Sequence, residues 1–496
     1  MPDLRSQLRA TVRRVVKEPR QVRIKEDSWR YFLLLFWLLV ITPILFLIFI
    51  HWGYDDPYIT FRYAYNLLNG HGFVYNVGER VLSTTTPLYA MLLALLGHLW
   101  PDLPTLSNLI SALSLGAGGF FLYHLGVRLQ EPWAGLVAAL LLPLFPLMVV
   151  TFGAETCFYV MLILGAFAFY ATGRHSWAGV LAALATLTRA DGALVALVLG
   201  TAYLFQHRRI PWKEGALFLI LITPWYLFSW AYFGSPVPAT LAAKQHQGQM
   251  VISESFGRGS LLMLRNYSRH PLYWLHGGLA LLGIGYAARY ARQWFLLFAW
   301  EALYFGSYVF VGVTRYFWYY APLVPAILVA VGLGVVAVRR VLLPILPGNW
   351  RNFAMLLMML LLLWPQVEGL RHLHHHPDSR LAIYRLVGMW LDENTPPHSS
   401  VGALEVGIIG YYSGRRMIDF AGLLQPDVAQ HLSDNYQDAA KWAIERYRPD
   451  YIIMGHEWFP QLVEAQWFRK HYRPRQQFTN EAFSSPLLLY QRVNDG

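Results

Sequence analysis

The chain has 496 residues, of which 56% are hydrophobic and only 14% charged, well below the roughly 25% charged residues of an average soluble domain. Its net charge of +11 lies largely in short basic clusters between apolar runs, where it orients a membrane protein rather than binding nucleic acid. A single cysteine, Cys157, excludes an intramolecular disulfide and sits in an apolar run as a small core residue.

Residues 1–28 form a basic leader containing Arg5, Arg9, Arg13, Arg14, Lys17, Arg20, Arg23 and Lys25. Such a leader belongs on the cytoplasmic side, against anionic lipid. Tyr31 to Ile50 carries no charge and is long enough to span a bilayer. It is too long for a signal-peptide core, so it reads as an uncleaved first span. That span delivers two adjacent carboxylates, Asp55 and Asp56, to the outer face. Ile59 to Leu68 reads as an interfacial helix ended by Asn69-Gly70. Pro87 to Leu99 is apolar but too short to cross, and reads as a re-entrant or juxtamembrane helix of the same outer loop.

Basic residues then set an alternation of spans. Leu106 to Val127 runs inward to Arg128, Trp133 to Phe152 returns outward to Glu155, and the next span ends at Arg174 and His175. Two short helices fit between His175 and His207, meeting at Arg189-Ala190-Asp191-Gly192. Gly215 to Phe233 leads out to a long loop, Gly234 to His270, that carries Lys244. Further spans end at Arg289 and Arg292, at Arg315, and at Arg339 and Arg340, and Phe353 to Gly369 exits last. The count is about eleven spans over residues 29–370, with the outer loop at 52–104. Residues 371–496 turn soluble in composition. An amphipathic helix at Ser379 to Asp392, a helix at Gln437 to Tyr447 and strands at Val401–Leu404, Arg416–Phe420, Tyr451–Met454 and Pro486–Tyr490 predict a small extracytoplasmic α/β domain. The fold class is thus a polytopic α-helical membrane protein with a C-terminal α/β domain.

On this topology Asp55, Asp56, Glu155, Arg189, Asp191, Lys244 and Arg315 converge on the outer face. Charges at helix ends in apolar sequence pair with one another or face a cavity. Carboxylates beside cations make a site that deprotonates something and stabilises an anion. A lipid-linked sugar phosphate suits such a site. Its phosphate takes Lys or Arg, its isoprenoid tail takes a groove between helices, and the acceptor hydroxyl takes a carboxylate base whose neighbour raises its pKa.

Asp55-Asp56-Pro57-Tyr58-Ile59-Thr60-Phe61-Arg62-Tyr63, Gly70-His71-Gly72-Phe73-Val74-Tyr75-Asn76, Gly78-Glu79-Arg80-Val81 and Ser83 to Pro87 resemble the first outer loop of GT-C fold glycosyltransferases. The likeness is greatest to the actinobacterial arabinofuranosyltransferases of cell-wall arabinan. Gly153-Ala154-Glu155-Thr156, Leu187 to Gly192, Pro238-Ala239-Thr240 with Lys244, Arg315-Tyr316-Phe317, Gly407 to Ser413 and Asp419 to Leu423 follow in the same order. Ala190 departs from that pattern, where proline is frequent.

The resemblance implies a membrane-helix bundle with its site at the outer interface, a polyprenyl-phosphate-sugar donor, a cell-envelope glycan or lipid acceptor, and inverting displacement in the inner (plasma) membrane. A first-loop aspartate is implied as the base. Asp55, nearest the interface, is expected in that role, with Asp56 and Glu155 completing the catalytic set. Arg62, Arg189, Asp191, Lys244, Arg315 and His276 are expected to bind substrate. A divalent cation (magnesium, manganese or calcium) bridging the carboxylates to the donor phosphate is compatible with the acidic pair.

Protein O-mannosyltransferases and lipid A-type sugar transferases use the same kind of donor and are the alternatives within this class. A transporter would show paired repeats and charges at mid-membrane in both halves, and neither is visible. His372, His374, His375 and His376 lie too close together in sequence to turn onto one metal ion and read as a juxtamembrane linker.

Overall fold

The computed structural model describes residues 28–493 except 251–252, 342–344, 456–457 and 482. The expected basic leader, save its last residue, lies outside the described residues. Two bodies pack together: a helical bundle and a small α/β domain.

Among the described residues six helical stretches are long and apolar enough to cross a membrane: Arg30–Ile48, Leu103–Arg128, Trp212–Phe233, Arg292–Val311, Phe317–Arg340 and Gly348–Asn394. Length and composition therefore account for six of the eleven expected spans, and the chain is a multi-pass membrane protein. The last stretch joins the Gly348–His375 helix to the Ser379–Asn394 helix of the α/β domain. The expected span at 133–152 is broken. Its helix ends at Leu141, and a turn at Leu142–Leu144 leads to the short Pro146–Val149 helix. Pro143 and Pro146 each remove a backbone donor, which a continuous helix does not tolerate. The two short helices appear at His175–Thr188 and Ala193–His207, joined through Ala190–Gly192.

Close backbone contact binds the bundle. A side chain at Gly126 would place its Cβ 2.7 Å from the Cα of Gly135, so the Leu103–Arg128 and Pro132–Leu141 helices meet main chain to main chain. This is small-residue packing as used where lipid offers no hydrophobic drive. The Trp212–Phe233 helix buries little of itself in the protein, which leaves Leu219, Ile220 and Leu227 exposed to the bilayer.

The exit of the first helix is held by one buried amide. Asn108 Nδ2 donates toward the carbonyls of Phe49, Ile50 and Trp52 at 3.2, 3.0 and 2.9 Å. The chain then turns directly into a helix at Asp55–Leu68, so both aspartates stand in its first turn, where the helix dipole favours negative charge. The interfacial helix thus begins four residues earlier than its apolar pattern predicts. The Gly234–His270 segment is not a plain loop: it contains helices at Thr240–Gln249 and Phe256–Ser268.

In the α/β domain, β1 (Ser400–Ala403), β2 (Arg416–Asp419), β3 (Tyr451–Gly455), β4 (Tyr472–Asn480) and β5 (Phe483–Arg492) form one sheet in the order β2-β1-β3-β5-β4. β1 is parallel to β2 and β3, and β5 is antiparallel to β3 and β4. The domain sits against the Asp55–Leu68 helix, and both contribute to one hydrophobic core that includes Tyr58, Phe61, Ile408, Ile409 and Leu489.

Candidate active site

Chain direction brings Asp56, Glu155, Arg189, Asp191 and Tyr308 to one end of the bundle, where they line a cavity of about 320 Å³. Each stands at a helix end. Glu155 precedes the Thr156–Ala171 helix, Arg189 and Asp191 occupy the junction of the two short helices, and Tyr308 lies in the last turn of the Phe295–Val311 helix. Lys244 reaches the same cavity from the Thr240–Gln249 helix.

The cavity has an inner and an outer part. Deepest is a satisfied cluster: Arg189 contacts Glu155 Oε1 at 3.3 Å and Asp191 Oδ2 at 2.9 Å, and it donates to the hydroxyls of Tyr308 at 2.6 Å and Tyr304 at 3.2 Å. Nearer the mouth, Lys244 Nζ lies 3.7 Å from Asp56 Oδ1. It sits within 6.0 Å of the ring centres of Tyr316, Trp318 and Tyr319, a cation–π cage. Burial presses the Lys244 ammonium down, but Asp56, Tyr319 and Glu155 outweigh it and hold the group above its usual range. Lys244 therefore stays charged.

Hydroxyls line the wall beside Lys244. Thr60, Thr84 and Thr86 bond one another at 3.0–3.4 Å. Ser83 and Thr240 also line the cavity, and their buried hydroxyls have no protein partner. Ala239 N donates to Leu82 O at 2.9 Å, which ties the segments that carry these two hydroxyls together. Thr240 and Lys244 are one turn apart on their helix, hence on one face. Buried hydroxyls of this kind normally find a partner, and here both belong to residues that line the same cavity as Lys244. The rest of the wall is apolar: Val237, Leu241, Val311 and Val313.

A second cavity, of about 310 Å³, lies on the other side of Asp56, between the bundle and the α/β domain. Arg315, Gln247 and Tyr316 line it from the bundle, and Arg380, Glu405 and Tyr436 from the α/β domain. Asp56 and Trp318 border both cavities.

The sequence-predicted residues thus fall into groups. Asp56, Glu155, Arg189, Asp191 and Lys244 share the first cavity. Arg315 and Asp55 line only the second, so Lys244 and Arg315 do not form one phosphate clamp. Arg62 lines neither cavity. It is buried and donates to the carbonyls of Tyr75, Gly410 and Gly414, because its helix face meets the α/β domain. His276 is likewise outside both cavities, buried between Leu272 O and Gln366 within the bundle. Arg380, Glu405 and Tyr436 escaped sequence reasoning, as they lie in a soluble-looking stretch with nothing local to mark them. Ser83 and Thr240 stood inside quoted motifs, yet only their missing partners single them out. Among the described residues no group of three His, Cys, Asp or Glu side chains is placed to hold a metal ion, and Asp56 is already paired with Lys244. This donor set does not fit a resident divalent cation.

Residues 374–492 match a family described as a domain of unknown function (DUF8728). No curated protein matches the chain. Among solved structures, ArnT from Cupriavidus metallidurans bound to undecaprenyl phosphate superposes with a TM-score of 0.61 at 15% identity, over 92% of this chain and 98% of that one. The archaeal oligosaccharyltransferase AglB from Archaeoglobus fulgidus, in complex with an inhibitory peptide and a dolichol-phosphate, gives 0.59 at 13% identity over 92% and 74%. The chain has the GT-C glycosyltransferase fold.

Proposed function

We propose that this protein is an inverting glycosyltransferase that moves a sugar from a polyprenyl-phosphate donor to a glycan or lipid hydroxyl on the extracytoplasmic face. The observation that carries the reading is the position of Asp56, a carboxylate in the wall between an apolar cavity with a caged lysine and a polar cavity lined by aromatic and charged groups. The first suits a lipid phosphate, the second a saccharide. The ligands of the two superposed structures, undecaprenyl phosphate and dolichol-phosphate, support a donor of this class.

The donor phosphate sits against Lys244, with the Ser83 and Thr240 hydroxyls as neutral donors and the prenyl chain along Val237, Leu241 and Val311. The acceptor enters the polar cavity. Its hydroxyl gives its proton to Asp56, and the freed oxygen bonds to the anomeric carbon from the side opposite the phosphate. The bond from that carbon to the phosphate oxygen breaks, and the electron pair leaves with the polyprenyl phosphate, whose charge Lys244 holds. We assign the base to Asp56 rather than to Asp55, since only Asp56 borders both cavities. No step runs through a metal ion.

The test is transfer by the purified full chain in lipid nanodiscs, with a polyprenyl-phosphate sugar and an oligosaccharide acceptor. Asp56→Asn keeps the shape and removes the basicity, so turnover should fall by about two to four orders of magnitude while donor binding survives. Normal turnover in Asp56→Asn would end the assignment.

A further inference from the structure

Asp55 spends its carboxylate on the neighbouring domain. Its Oδ2 accepts from the amide of Gly407 at 2.9 Å and its Oδ1 from that of Ile408 at 2.8 Å. Gly407 allows the approach, because a Cβ there would lie 1.9 Å from the Asp55 carbonyl oxygen. Glu405, paired with Arg380 at 3.4 Å, lines the second cavity beside the same carboxylate. The contact continues outward along the first loop. Tyr75 donates to Val406 O at 2.5 Å, Arg62 to Gly410 O and Gly414 O at 3.2 and 2.9 Å, and Asn76 pairs with both main-chain groups of Met417 at 2.9 Å. Nearly all of these bonds read main chain, so they specify the position of the domain rather than its side chains.

Asp55 and Asp56 are consecutive residues of one helical turn, and their side chains diverge by about 100° around its axis. Holding the first carboxylate on Gly407 and Ile408 therefore aims the second toward the two cavities. We propose that Asp55 is a docking residue through which the α/β domain positions Asp56, and that this domain, matched only to a family of unknown function, is the part that sets the catalytic carboxylate. The proposal rests on the reading of Asp56 as the base. It makes the domain necessary for the chemical step and not only for acceptor capture.

The experiment reads docking and chemistry separately, on the full chain in nanodiscs. Amide hydrogen exchange of the peptide spanning Gly407 and Ile408 is followed in wild type, Asp55→Asn and Tyr75→Phe, beside transfer rates across pH. A lost bond from a backbone amide to a carboxylate should speed exchange by roughly ten- to hundredfold, and Asp55→Asn should show this together with a lower kcat. Its KM for the donor should hold, because the docking contact does not touch the Lys244 side of the cavity. Tyr75→Phe, which touches no carboxylate, should move exchange and rate in the same direction. It keeps the test open if Asp55→Asn folds poorly. Loss of transfer in Asp55→Asn with unchanged exchange would overturn the proposal and make Asp55 chemical. Faster exchange with an unchanged rate would overturn it as well, by uncoupling docking from catalysis. Failure of the base assignment is distinct from either, since it appears as normal turnover in Asp56→Asn.

Discussion

Lys244 stands 3.7 Å from Asp56, close enough for an ion pair and far enough for a phosphate oxygen to compete for the ammonium. On the proposed mechanism one cation serves two anions in turn, the base before donor arrives and the phosphate afterwards. Lys244→Met keeps the aliphatic stem among Tyr316, Trp318 and Tyr319 while removing the charge. The KM for the polyprenyl-phosphate donor should rise about ten- to hundredfold, the range for a lost charge-assisted bond. Affinity for acceptor should hold. Equal losses for both substrates would place Lys244 outside the phosphate site.

Arg189 has a different character, although its charge and position resemble those of Lys244. Its guanidinium is spent on Glu155, Asp191, Tyr304 and Tyr308, and its side chain is only 6% exposed. Removing it takes the ion-pair partner from both Glu155 and Asp191, and Asp191 keeps the hydroxyl of Tyr308 at 2.6 Å. Arg189→Met should cost about 3–5 kcal/mol of stability, the range for breaking a buried pair from one side. Thermal unfolding in detergent measures it. A variant of normal stability with raised donor KM would show instead that Arg189 holds substrate.

Much of this arrangement was legible in the chain. Apolar runs and basic clusters placed the long helices, and the lone carboxylates and cations at their ends marked the end of the bundle that carries the site. β1, β2, β3 and β5 were visible because they are short buried apolar runs. β4 was not, since Arg473 to Gln477 consists of four polar residues and Pro474 and stands exposed at the sheet edge, where burial imposes no alternation. The Thr240–Gln249 helix was hidden for a related reason, its sequence being too polar to show a periodic apolar face. Nothing local distinguishes Asp55 from Asp56. What separates them is Gly407, some 350 residues away, and a partner at that distance leaves no mark on neighbouring sequence. Arg62 misled in the same way, because a buried arginine that reads carbonyls looks like one that waits for substrate.

The seam between the bundle and the α/β domain should respond to pH. Burial, helped by the Asp55 carboxylate, pushes Glu405 up to about 8 from 4.5, against the opposing pull of Arg380. Asp55 is raised as well, by burial and by Asp56, while the amides of Gly407 and Ile408 pull it down. A carboxyl raised in the folded state favours that state fully below its unfolded value and loses the advantage as pH climbs through its folded one. Docking should therefore weaken between about 4.5 and about 8. Protection of the domain from proteolysis, compared at the two ends of that window, should fall on the alkaline side. Glu405→Gln should flatten the response, leaving the share due to Asp419, which burial also raises to about 7. An unchanged slope in Glu405→Gln would show that the proton resides elsewhere.

The hydroxyls of Ser83 and Thr240 make a test that separates binding from folding. Both are buried in the lining of the cavity that Lys244 shares, and neither has a partner among the described residues. A buried hydroxyl with no hydrogen bond costs the folded state about 1–3 kcal/mol, so its deletion should not destabilise. Ser83→Ala and Thr240→Val, the second nearly isosteric, should unfold at the wild-type temperature or slightly above it. If the hydroxyls complete their bonding on the donor phosphate, each variant should lose about three- to tenfold in donor affinity, the worth of one neutral hydrogen bond. Unfolding temperature and donor binding would thus move in opposite directions, a pattern that a packing defect does not produce. Thermal unfolding and donor-lipid titration on the same preparations decide it. Variants that are stabilised yet bind donor with wild-type affinity would place the phosphate away from this wall and leave Lys244 as its only contact there.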